Sequence, residues 1–586
     1  MKNNTTLQLL KLCNRANPRF IFTVAFKSVL EAGIILIWTY LPSRMVDSFI
    51  RKDIQSIVLM GIIMTLGTAV LRVLGEFLKN RIDLMNKEIK NHMDLQLDQK
   101  IMDIHFEMAE TPAIMDLKEK AVWTFENYGG VAYFVEYIIS AITSFCLVSG
   151  FYVILFSTAN PIISAMEIIY GLTVIGAGVL WRKTGVFYWD RVSSLNRRFL
   201  YLTWEIAHNY KVGKDIRVYS AENMIGEQLD KMADSWDKEE KKYVYTRKHS
   251  EGVLLLLHIV LLGTSVFLLM KGRAPFSVCT LCVMLITQIS DQLKLMVRNI
   301  SDVMQMSSYG QYLLDFLNLD KGSDRSEKDS LLSCDADKAY TLTVDNVSFR
   351  YPGEEKYAIS DISFEIKKGE TVAFVGKNGS GKSTVVKLIC RLYRPTSGRI
   401  LFNGVDIEKY SVSDYRKILG VLFQDFQLFP ATIRENVVLG REENETLLRF
   451  IYETYGIDGI ISKTSLGDKT NLDVSFDENG VELSGGQKQD IAVGRCYYKK
   501  PAMVILDEPS SNLDAIAEEK LYNHILENNG KQGTIFVSHR LSGCKLCDRI
   551  LVFDKGLIKE TGSHNELMSL DGIYAALYRE QMKLYA

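Results

Sequence analysis

The chain has 586 residues and a net charge of −1, which is too long for a single small domain and gives no reason to expect a nucleic-acid partner. Hydrophobic residues make up 47% and charged residues 24%, a mixture that predicts an apolar helical part joined to a water-facing part. The nine cysteines are odd in number and scattered, so free thiols are expected instead of a disulfide framework. Cys279/Cys282 and Cys544/Cys547 have the spacing of half a zinc site, but no second pair lies near either.

Six long apolar runs occupy the first half of the chain. Each is close to the roughly 20 residues that cross a hydrocarbon core, and a soluble protein rarely contains so many. An all-α, six-helix transmembrane domain in a lipid bilayer is therefore predicted. Residues 1–19 are polar and lack a signal-cleavage pattern, so the first run is expected to remain as an anchor. The runs lie near 20–41, 54–78, 131–156, 161–181, 253–270 and 274–293.

Basic residues predict the orientation of these runs. Lys and Arg are concentrated before the first run, between the second and third, and after the fourth. The link at 157–160 has none, and the turn after the fifth run carries only Lys271 and Arg273. The loop at 44–52 goes against this bias. Because cytoplasmic loops are enriched in Lys and Arg, both termini are predicted to be cytoplasmic, in a multi-pass protein of the cell membrane.

Charged residues inside the runs are candidates for a polar translocation pathway. A charge at the bilayer centre costs about 2.5–3.5 kcal/mol on insertion scales, so such side chains usually face a cavity or a partner. Pairs spaced by four residues can also neutralise each other on one helix face. The pathway interpretation applies best to Glu31 and Glu167, whereas Arg72 and Glu76 also suit the membrane interface. The charged residues are Lys27, Glu31, Arg72, Glu76, Glu136 and Glu167.

A polar stretch separates the two halves. Residues 321–338 contain no membrane-length apolar run, and an alternation typical of a soluble domain starts near Tyr340. The predicted organisation is a transmembrane domain at 1–310 with two long cytoplasmic connections, a linker at 311–339, and a second domain at 340–586.

The second domain contains a phosphate-binding loop. Residues 370–376 have the pattern of a buried strand, and residues 376–384 read GKNGSGKST, the pattern G-x-x-x-x-G-K-[ST], followed by a helical run. Successive N–H groups of such a loop surround phosphate oxygens, with Lys382 reaching the β/γ-phosphates and Ser383 ligating Mg²⁺. ATP and Mg²⁺ are thus the predicted cofactors. The predicted nucleotide ligands here are Gly376, Lys377, Asn378, Gly379, Ser380, Gly381, Lys382, Ser383 and Thr384.

A second apolar strand, at 503–506, ends in two acids. Asp507 is placed to hold Mg²⁺ through water, and Glu508 to polarise the attacking water as general base. An apolar strand ending in acids is common by itself, but here it accompanies the phosphate loop.

Residues 483–487, LSGGQ, resemble the signature of the ABC transporter ATPases, and the other motifs occur in the order of that family. The resemblance covers the whole second half and implies an α/β P-loop NTPase domain with a helical subdomain. The first half resembles the membrane domain of exporter-type members, with coupling segments at 105–116 and 213–219. A multidomain half-transporter is therefore expected.

The resemblance also implies the roles of further residues. Tyr351 matches the aromatic that stacks on adenine, Gln424 the glutamine that senses Mg²⁺ and the attacking water, and Glu478 the acidic loop before the signature. His539 matches the histidine that contacts the γ-phosphate. Residues 511–514, which read SNLD, match the loop that usually reads SALD in this family. The signature ligands implied for a partner's ATP are Ser484, Gly485, Gly486 and Gln487. The implied catalytic residues are Glu508, His539 and Gln424, and the metal ligands Ser383, Gln424 and Asp507.

One chain supplies one phosphate loop, one signature and six spans, so a dimer with a second ABC half-transporter subunit is expected. The intact motifs favour a homodimer, or a heterodimer in which this subunit is unimpaired. ATP-driven export of a substrate by alternating access is the leading prediction. Import through the same fold, for example of a metal chelator, and an ATP-gated regulator or channel are the alternatives. No peptidase domain precedes the first run, so coupled leader cleavage is not expected, and peptides, lipids and drugs all stay open as substrates.

Overall fold

The protein folds into two compact units. The computed structural model describes residues 2–126, 131–208, 210–319, 339–474, 477–509, 532–538, 540–541 and 543–583. Residues 1–102 and 112–319 form the first, which we call the helical unit, and residues 103–111 and 320–586 form the second, the sheet unit. The sheet unit therefore includes a short segment, 103–111, that lies between two helices of the helical unit in the chain.

The described part of the helical unit consists of helices. Two segments, Ile63–Gly67 and Tyr201–Ala207, are π-helical and continue the helices before them. The α-helices are α1 (Lys2–Ala16), α2 (Phe20–Ile50), α3 (Ile54–Ile62), α4 (Thr68–Asp103), α6 (Pro112–Glu126), α7 (Val131–Thr158), α8 (Pro161–Leu200), α9 (Tyr210–Val218), α10 (Glu222–Lys271) and α11 (Phe276–Leu317). A further helix, α5 (Phe106–Ala109), belongs to the sheet unit.

Six of the described helical stretches are long and apolar enough to span a membrane, as the apolar runs predict. Their outward faces carry large apolar side chains: Phe22 and Val153 are exposed by 75% and 69%. Such a surface is stable in lipid, where apolar side chains need no cover. The last of these helices, α11, continues to Leu317 and thus past residue 310, where the sequence-based prediction placed the end of the membrane domain.

The sheet unit is built on two sheets. A mixed sheet has the order β10-β9-β3-β8-β7-β6, in which all neighbours are parallel except β9 and β10, and an antiparallel sheet has the order β2-β1-β4-β5. The strands are β1 (Thr341–Phe349), β2 (Ile359–Lys367), β3 (Thr371–Gly376), β4 (Ser397–Phe402), β5 (Val405–Asp406), β6 (Leu419–Leu422), β7 (Met503–Asp507), β8 (Gly533–Val537), β9 (Arg549–Asp554) and β10 (Leu557–Gly562).

Helices cover the mixed sheet, and this explains the composition of its central strands. Strands β3, β7 and β8 are buried at every position, because parallel strands covered on both faces have no polar side. The helices are α12 (Lys382–Ile389), α13 (Val412–Lys417), α14 (Ile433–Val438), α15 (Glu445–Thr454), α16 (Asp458–Ile461), α17 (Gly485–Tyr498), α18 (His564–Leu570) and α19 (Ile573–Met582). A helical domain followed by an α/β domain with a helical insertion between β6 and β7 is the predicted fold class, which is confirmed.

Candidate functional site

The loop between β3 and α12 has a backbone that requires glycine at two positions. Gly376 and Gly381 have φ of +155° and +106°. A Cβ added to Gly376 would lie 2.2 Å from the Phe553 carbonyl oxygen, and one at Gly381 would lie 2.6 Å from Ile359 Cγ2. Gly379 also has a positive φ, +74°, but a Cβ there would meet no atom within 4 Å. The first and last glycines are therefore fixed by packing as well as by backbone conformation.

Lys382, the first residue of α12, is folded back over this loop. Its Nζ donates hydrogen bonds to the carbonyl oxygens of Gly376 and Lys377, at 2.9 and 3.0 Å, and lies 3.5 Å from the hydroxyl of Ser380. Burial lowers the pKa of the Lys382 ammonium, and the nearby carboxylates of Glu508 and Asp507 oppose that shift. A buried cation held mainly by carbonyl groups is well placed to exchange them for phosphate oxygens.

Asp507 and Ser383 form a small oxygen cluster at the carboxyl end of β7. Asp507 is 4% exposed, and its Oδ1 has no hydrogen-bond partner among the described residues. The carboxylate of Asp507 also forms a hydrogen bond with the side chain of Ser383. Burial raises the pKa of Asp507 to about 6, despite that bond. Mg²⁺ prefers oxygen ligands of this kind, and a buried carboxylate oxygen without a partner fits a cation, so these two residues suit the predicted metal.

Glu508 and Gln424 face each other across the carboxyl ends of two neighbouring strands. Gln424 follows β6 and donates from Nε2 to Oε2 of Glu508 at 2.9 Å. Glu508 follows β7 with a left-handed φ of +53°, and its N–H bonds to the carbonyl oxygen of Val537 at 2.9 Å. A non-glycine residue in this conformation is strained, and such strain is common where a side chain must be aimed at a ligand.

These groups surround a polar cavity of about 510 Å³. Gly376 and Lys377 do not line this cavity, but their carbonyl oxygens accept hydrogen bonds from Lys382, which does. Tyr351, the predicted adenine-stacking residue, does not line the cavity. Its hydroxyl oxygen lies 3.0 Å from the hydroxyl oxygen of Thr384. The lining residues are Asn378, Gly379, Ser380, Gly381, Lys382, Ser383, Thr384, Gln424 and Glu508.

The signature residues form a separate, exposed structure. Ser484 caps α17: its hydroxyl accepts from the N–H of Gln487 at 3.3 Å, while its own N–H donates to Oε1 of Gln487 at 3.0 Å. Ser484 and Gly485 are exposed, and neither of them, nor Gly486 or Gln487, lines the described cavity. Among the described residues, the start of α17 is thus a preformed helix end suited to anions that lies outside the cavity around Lys382.

Two predicted elements lie outside the described residues, namely His539 and the loop at 511–514. Glu478 is among the described residues; its side chain is exposed, and it precedes the signature in the chain.

The first part of the first predicted coupling segment, residues 105–111, is packed within the sheet unit, whereas 112–116 belongs to the helical unit. The ring of Phe106 in α5 meets that of Tyr393 edge to face, with centroids 5.7 Å apart, and the Tyr393 hydroxyl donates to Glu110. Nε2 of His105 lies 3.3 Å from a guanidinium nitrogen of Arg394. The sequence analysis missed Tyr393 and Arg394, which follow α12, because no spacing pattern marks them as a receptor for a segment some 290 residues away.

The polar groups of the helical unit have varied partners. Lys27 and Glu31 form the expected ion pair, at 3.0 Å, whereas Glu76 lies 3.8 Å from Lys79 and not beside Arg72. Glu136 accepts a hydrogen bond from Asn86 at 3.3 Å. Glu167 is fully buried, and neither of its carboxylate oxygens has a partner among the described residues.

A glycine-rich phosphate loop, a bonded Asp–Ser pair and a paired acid and amide, arranged at the ends of parallel strands, define a nucleotide-binding P-loop domain. Its fusion to six membrane-length helices defines a multi-pass membrane protein that uses a nucleotide.

Comparisons with known proteins agree with that class. The sequence profile "ABC transporter" matches residues 359–511. A solved structure of a bacterial Atm1-family ABC exporter with ATP bound superposes with a TM-score of 0.81, covers 96% of this chain and 98% of its own, and is 20% identical. At that identity the likeness concerns the fold.

Relatives by sequence extend over the whole chain. The subtilin transport ATP-binding protein SpaT of Bacillus subtilis is 26% identical over 95% of this chain and 91% of its own length. The nisin transport ATP-binding protein NisT of Lactococcus lactis subsp. lactis is 26% identical over 97% and 95%. The ATP-dependent lipid A-core flippase of Haemophilus ducreyi is 34% identical but matches only 46% of this chain. Residues 359–511 thus form an ABC transporter ATP-binding domain, and the chain joins this domain to six membrane-length helices in the fold of an ABC exporter.

Proposed function

We propose that this chain is one half of a dimeric ATP-driven exporter, in which each ATP is held between the phosphate loop of one subunit and the signature of the other. The observation that carries this proposal is the exposed, fully formed cap at Ser484–Gln487, which has no share in the cavity around Lys382. A helix N-terminus with free N–H groups binds anions, and a second copy of the chain offers one in its bound ATP.

Within each site the residues have distinct tasks. Loop N–H groups and Lys382 hold the β- and γ-phosphates, with Lys382 leaving the carbonyl oxygens of Gly376 and Lys377. Glu508 accepts the proton of the attacking water, and Gln424, bonded to Glu508, orients that water. Ser383 and Asp507 would hold Mg²⁺, which neutralises charge developing on the phosphate oxygens.

Closure of the two ATP-binding domains is transmitted through α5. Residues 103–111 are packed on Tyr393 and Arg394 of the sheet unit and are covalently continuous with α4 and α6 of the helical unit. Movement of the sheet unit must therefore be transmitted to α4 and α6, the helices on either side of this segment in the chain. Hydrolysis removes the ATP bridge and allows the reverse movement, which gives alternating access.

The second connection is the candidate contact with the partner subunit. Val218, at the end of α9, and the adjacent Tyr219 are exposed by 76% and 78%, although both are large and hydrophobic. The sheet unit has a mainly apolar groove of about 280 Å³ between β6 and α17, lined in part by Phe423 and Leu439. We place α9 of one subunit in this groove of the other, which would cover both surfaces.

This placement is tested by paired cysteines. Val218→Cys with Leu439→Cys should give an inter-subunit cross-link that runs as a dimer on a denaturing gel, and Met224→Cys, also exposed but one helix later, serves as the control. Cross-linking within one chain, or equal cross-linking of the control, would refute the exchange of α9 between subunits.

A bacteriocin such as subtilin or nisin is the substrate class that we propose. The relatives named for subtilin and nisin match the membrane domain as well as the ATP-binding domain, since they cover 95% and 97% of this chain. The lipid A-core flippase of Haemophilus ducreyi matches 46% of this chain, so its match cannot cover both domains in full. The ATP-binding domain and both termini are cytoplasmic in this scheme.

Inside-out vesicles test the function directly. With ATP outside, wild-type vesicles should accumulate subtilin or nisin, and vesicles with Glu508→Gln should not. ATP-dependent depletion of preloaded substrate would instead indicate import. Flow down a gradient that needs ATP binding but continues in Glu508→Gln would indicate a gated channel. No movement of either bacteriocin, with accumulation of another compound, would refute the substrate class alone.

A further inference from the structure

A cavity between α8 and α10 lies where both helices leave the membrane. Its volume is about 270 Å³. Lys183, Thr184, Phe187 and Tyr188 line it from α8, and Glu239, Lys242, Tyr243 and Thr246 from α10. None of these residues takes part in the ATP site or in the coupling segments.

The membrane edge is marked at this level by Trp181. Its Nε1 donates to the hydroxyl of Ser250, which aligns the end of the apolar run of α8 with the start of that of α10. With a rise of 1.5 Å per residue, Lys183 lies about 3 Å beyond this level and Lys242 about 12 Å beyond it. The headgroup layer is about 5–8 Å thick on each side, so the membrane-facing end of the cavity, at Lys183, lies at headgroup depth, and Lys242 approaches it from the cytoplasmic side.

Aromatic rings form stable walls. Tyr188 and Tyr243 stack with centroids 5.2 Å apart and an interplanar angle of 15°. The hydroxyl of Tyr188 accepts a hydrogen bond from Nε1 of Trp236 at 3.1 Å.

The charge that lines the cavity is positive. Glu239 is the acid of its lining, and it is paired with Arg191 at 2.7 Å. Among the described side chains neither Lys183 nor Lys242 has an acidic partner within 4.0 Å, and the ammonium of Lys242 lies 5.7 Å from the ring centroid of Phe187. The hydroxyls of Thr184 and Thr246 bond to carbonyl groups of their own helices. Two unpaired cations therefore point to an anionic occupant.

We infer that this cavity binds the phosphate-bearing head group of an anionic phospholipid from the cytoplasmic leaflet. Lys183 and Lys242 donate to the phosphodiester, the rings of Tyr188 and Tyr243 contact the carbons of the head group on the cytoplasmic side of the phosphate, and the acyl chains remain in the bilayer beside α8 and α10. Basic pockets between membrane helices on the cytoplasmic side have this charge preference, because that leaflet is negative. The assignment of the leaflet rests on the proposed orientation, but the site does not depend on which substrate is exported.

Lipid binding to the purified full chain in detergent, followed by native mass spectrometry, tests the site. Phosphatidylglycerol should bind more tightly than phosphatidylcholine, and Lys183→Gln/Lys242→Gln should weaken phosphatidylglycerol binding roughly fivefold for each lysine, or roughly 25-fold together. Lys238→Gln/Lys248→Gln removes the same charge from exposed positions of α10 outside the cavity and should leave it nearly unchanged. Equal losses in both pairs would show non-specific attraction and overturn the site.

A second variant separates the cavity from its charge. Thr246→Phe fills the cavity and keeps both lysines, so it should also lower phosphatidylglycerol binding, while basal ATP hydrolysis in phosphatidylcholine and the melting temperature stay at wild-type values. Glycerol 3-phosphate, which has the head but no chains, should compete only at far higher concentration. Competition at the concentration of the lipid would show a site for a soluble phosphate, and unchanged binding in Thr246→Phe would show that the cavity is not occupied.

Discussion

The two units hold their polar groups in different ways. In the sheet unit, Lys382 and Ser383 lie within one short segment, and Lys382 is held by main-chain carbonyl oxygens five and six residues before it. In the helical unit, some polar side chains have partners far away in the chain, such as Ser144 and Gln292 at 2.9 Å, and others, such as Glu167, have none among the described residues. A site that is held by its own local backbone can be recognised from sequence, whereas a site assembled from distant helices cannot.

Replacing the proposed general base should have the largest effect. Glu508→Gln keeps the shape of the side chain, but an amide cannot accept the proton of the attacking water, so ATP turnover should fall by about 10²- to 10⁴-fold. Binding of ATP should persist, because Glu508 is not among the groups that hold the loop. Turnover is followed by phosphate release and binding by a fluorescent ATP analogue. Turnover within threefold of wild type would exclude Glu508 as the base.

Alanine substitutions in the phosphate loop compare packing with backbone strain. Gly376→Ala would place its Cβ 2.2 Å from the Phe553 carbonyl oxygen, so the loop must move and ATP binding should be lost. Gly379→Ala is the matched control, since its φ of +74° strains alanine but no atom lies within 4 Å of the new Cβ. It should cost about 1–2 kcal/mol, or roughly 5- to 30-fold in ATP affinity. Equal losses in the two variants, measured by equilibrium dialysis, would contradict the role of packing at Gly376.

The pKa of Asp507 predicts a pH dependence of Mg²⁺ binding. Burial raises this pKa to about 6, and the metal requires the ionised carboxylate, so Mg²⁺ affinity is full above pH 6 and falls as the pH drops below it. The loss should reach about tenfold at pH 5. The slope is measured as Mg²⁺ enhancement of ATP binding between pH 5 and 8. Asp507→Asn should bind Mg²⁺ weakly at every pH and keep only the slope of the nucleotide's own protonation, and a wild-type slope equal to that of the variant would reject the assignment.

The same contrast explains what the sequence analysis found and missed. The six apolar helices, the order of the motifs and the cavity residues from Asn378 to Thr384 were predictable, because hydrophobic length and a contiguous loop are local properties. The pairing of Glu76 with Lys79 in place of Arg72, and the seat of α5 on Tyr393, were not. The first depends on side-chain rotamers within one helix, and the second on packing between segments that no periodic pattern connects.

Tyr351 illustrates an intermediate case. The family resemblance implied that Tyr351 is an aromatic that stacks on adenine, yet its ring packs against those of Phe349 and Tyr393, at 5.0 and 5.4 Å, and its hydroxyl lies beside that of Thr384. The sequence thus located the residue relative to the loop, while its side-chain contacts follow from the aromatic cluster that also receives α5.

The smallest predicted effect concerns the helical unit, where the carboxylate of Glu167 is buried without a hydrogen-bond partner among the described residues. A buried polar group that makes no hydrogen bond destabilises a fold by about 1–3 kcal/mol, and Leu has a similar volume. Glu167→Leu should therefore raise the thermal unfolding midpoint of the purified protein by a few degrees, whereas Glu31→Leu should not, because Glu31 is paired with Lys27 at 3.0 Å and is half exposed. If Glu167 contacts the substrate in another conformation of the cycle, the stabilised variant also loses transport while Glu31→Leu retains it. A lower thermal unfolding midpoint for Glu167→Leu would mean that the carboxyl group of Glu167 has a partner in the assembled dimer. The contrast between locally held and unpartnered polar groups would then apply only to the isolated subunit.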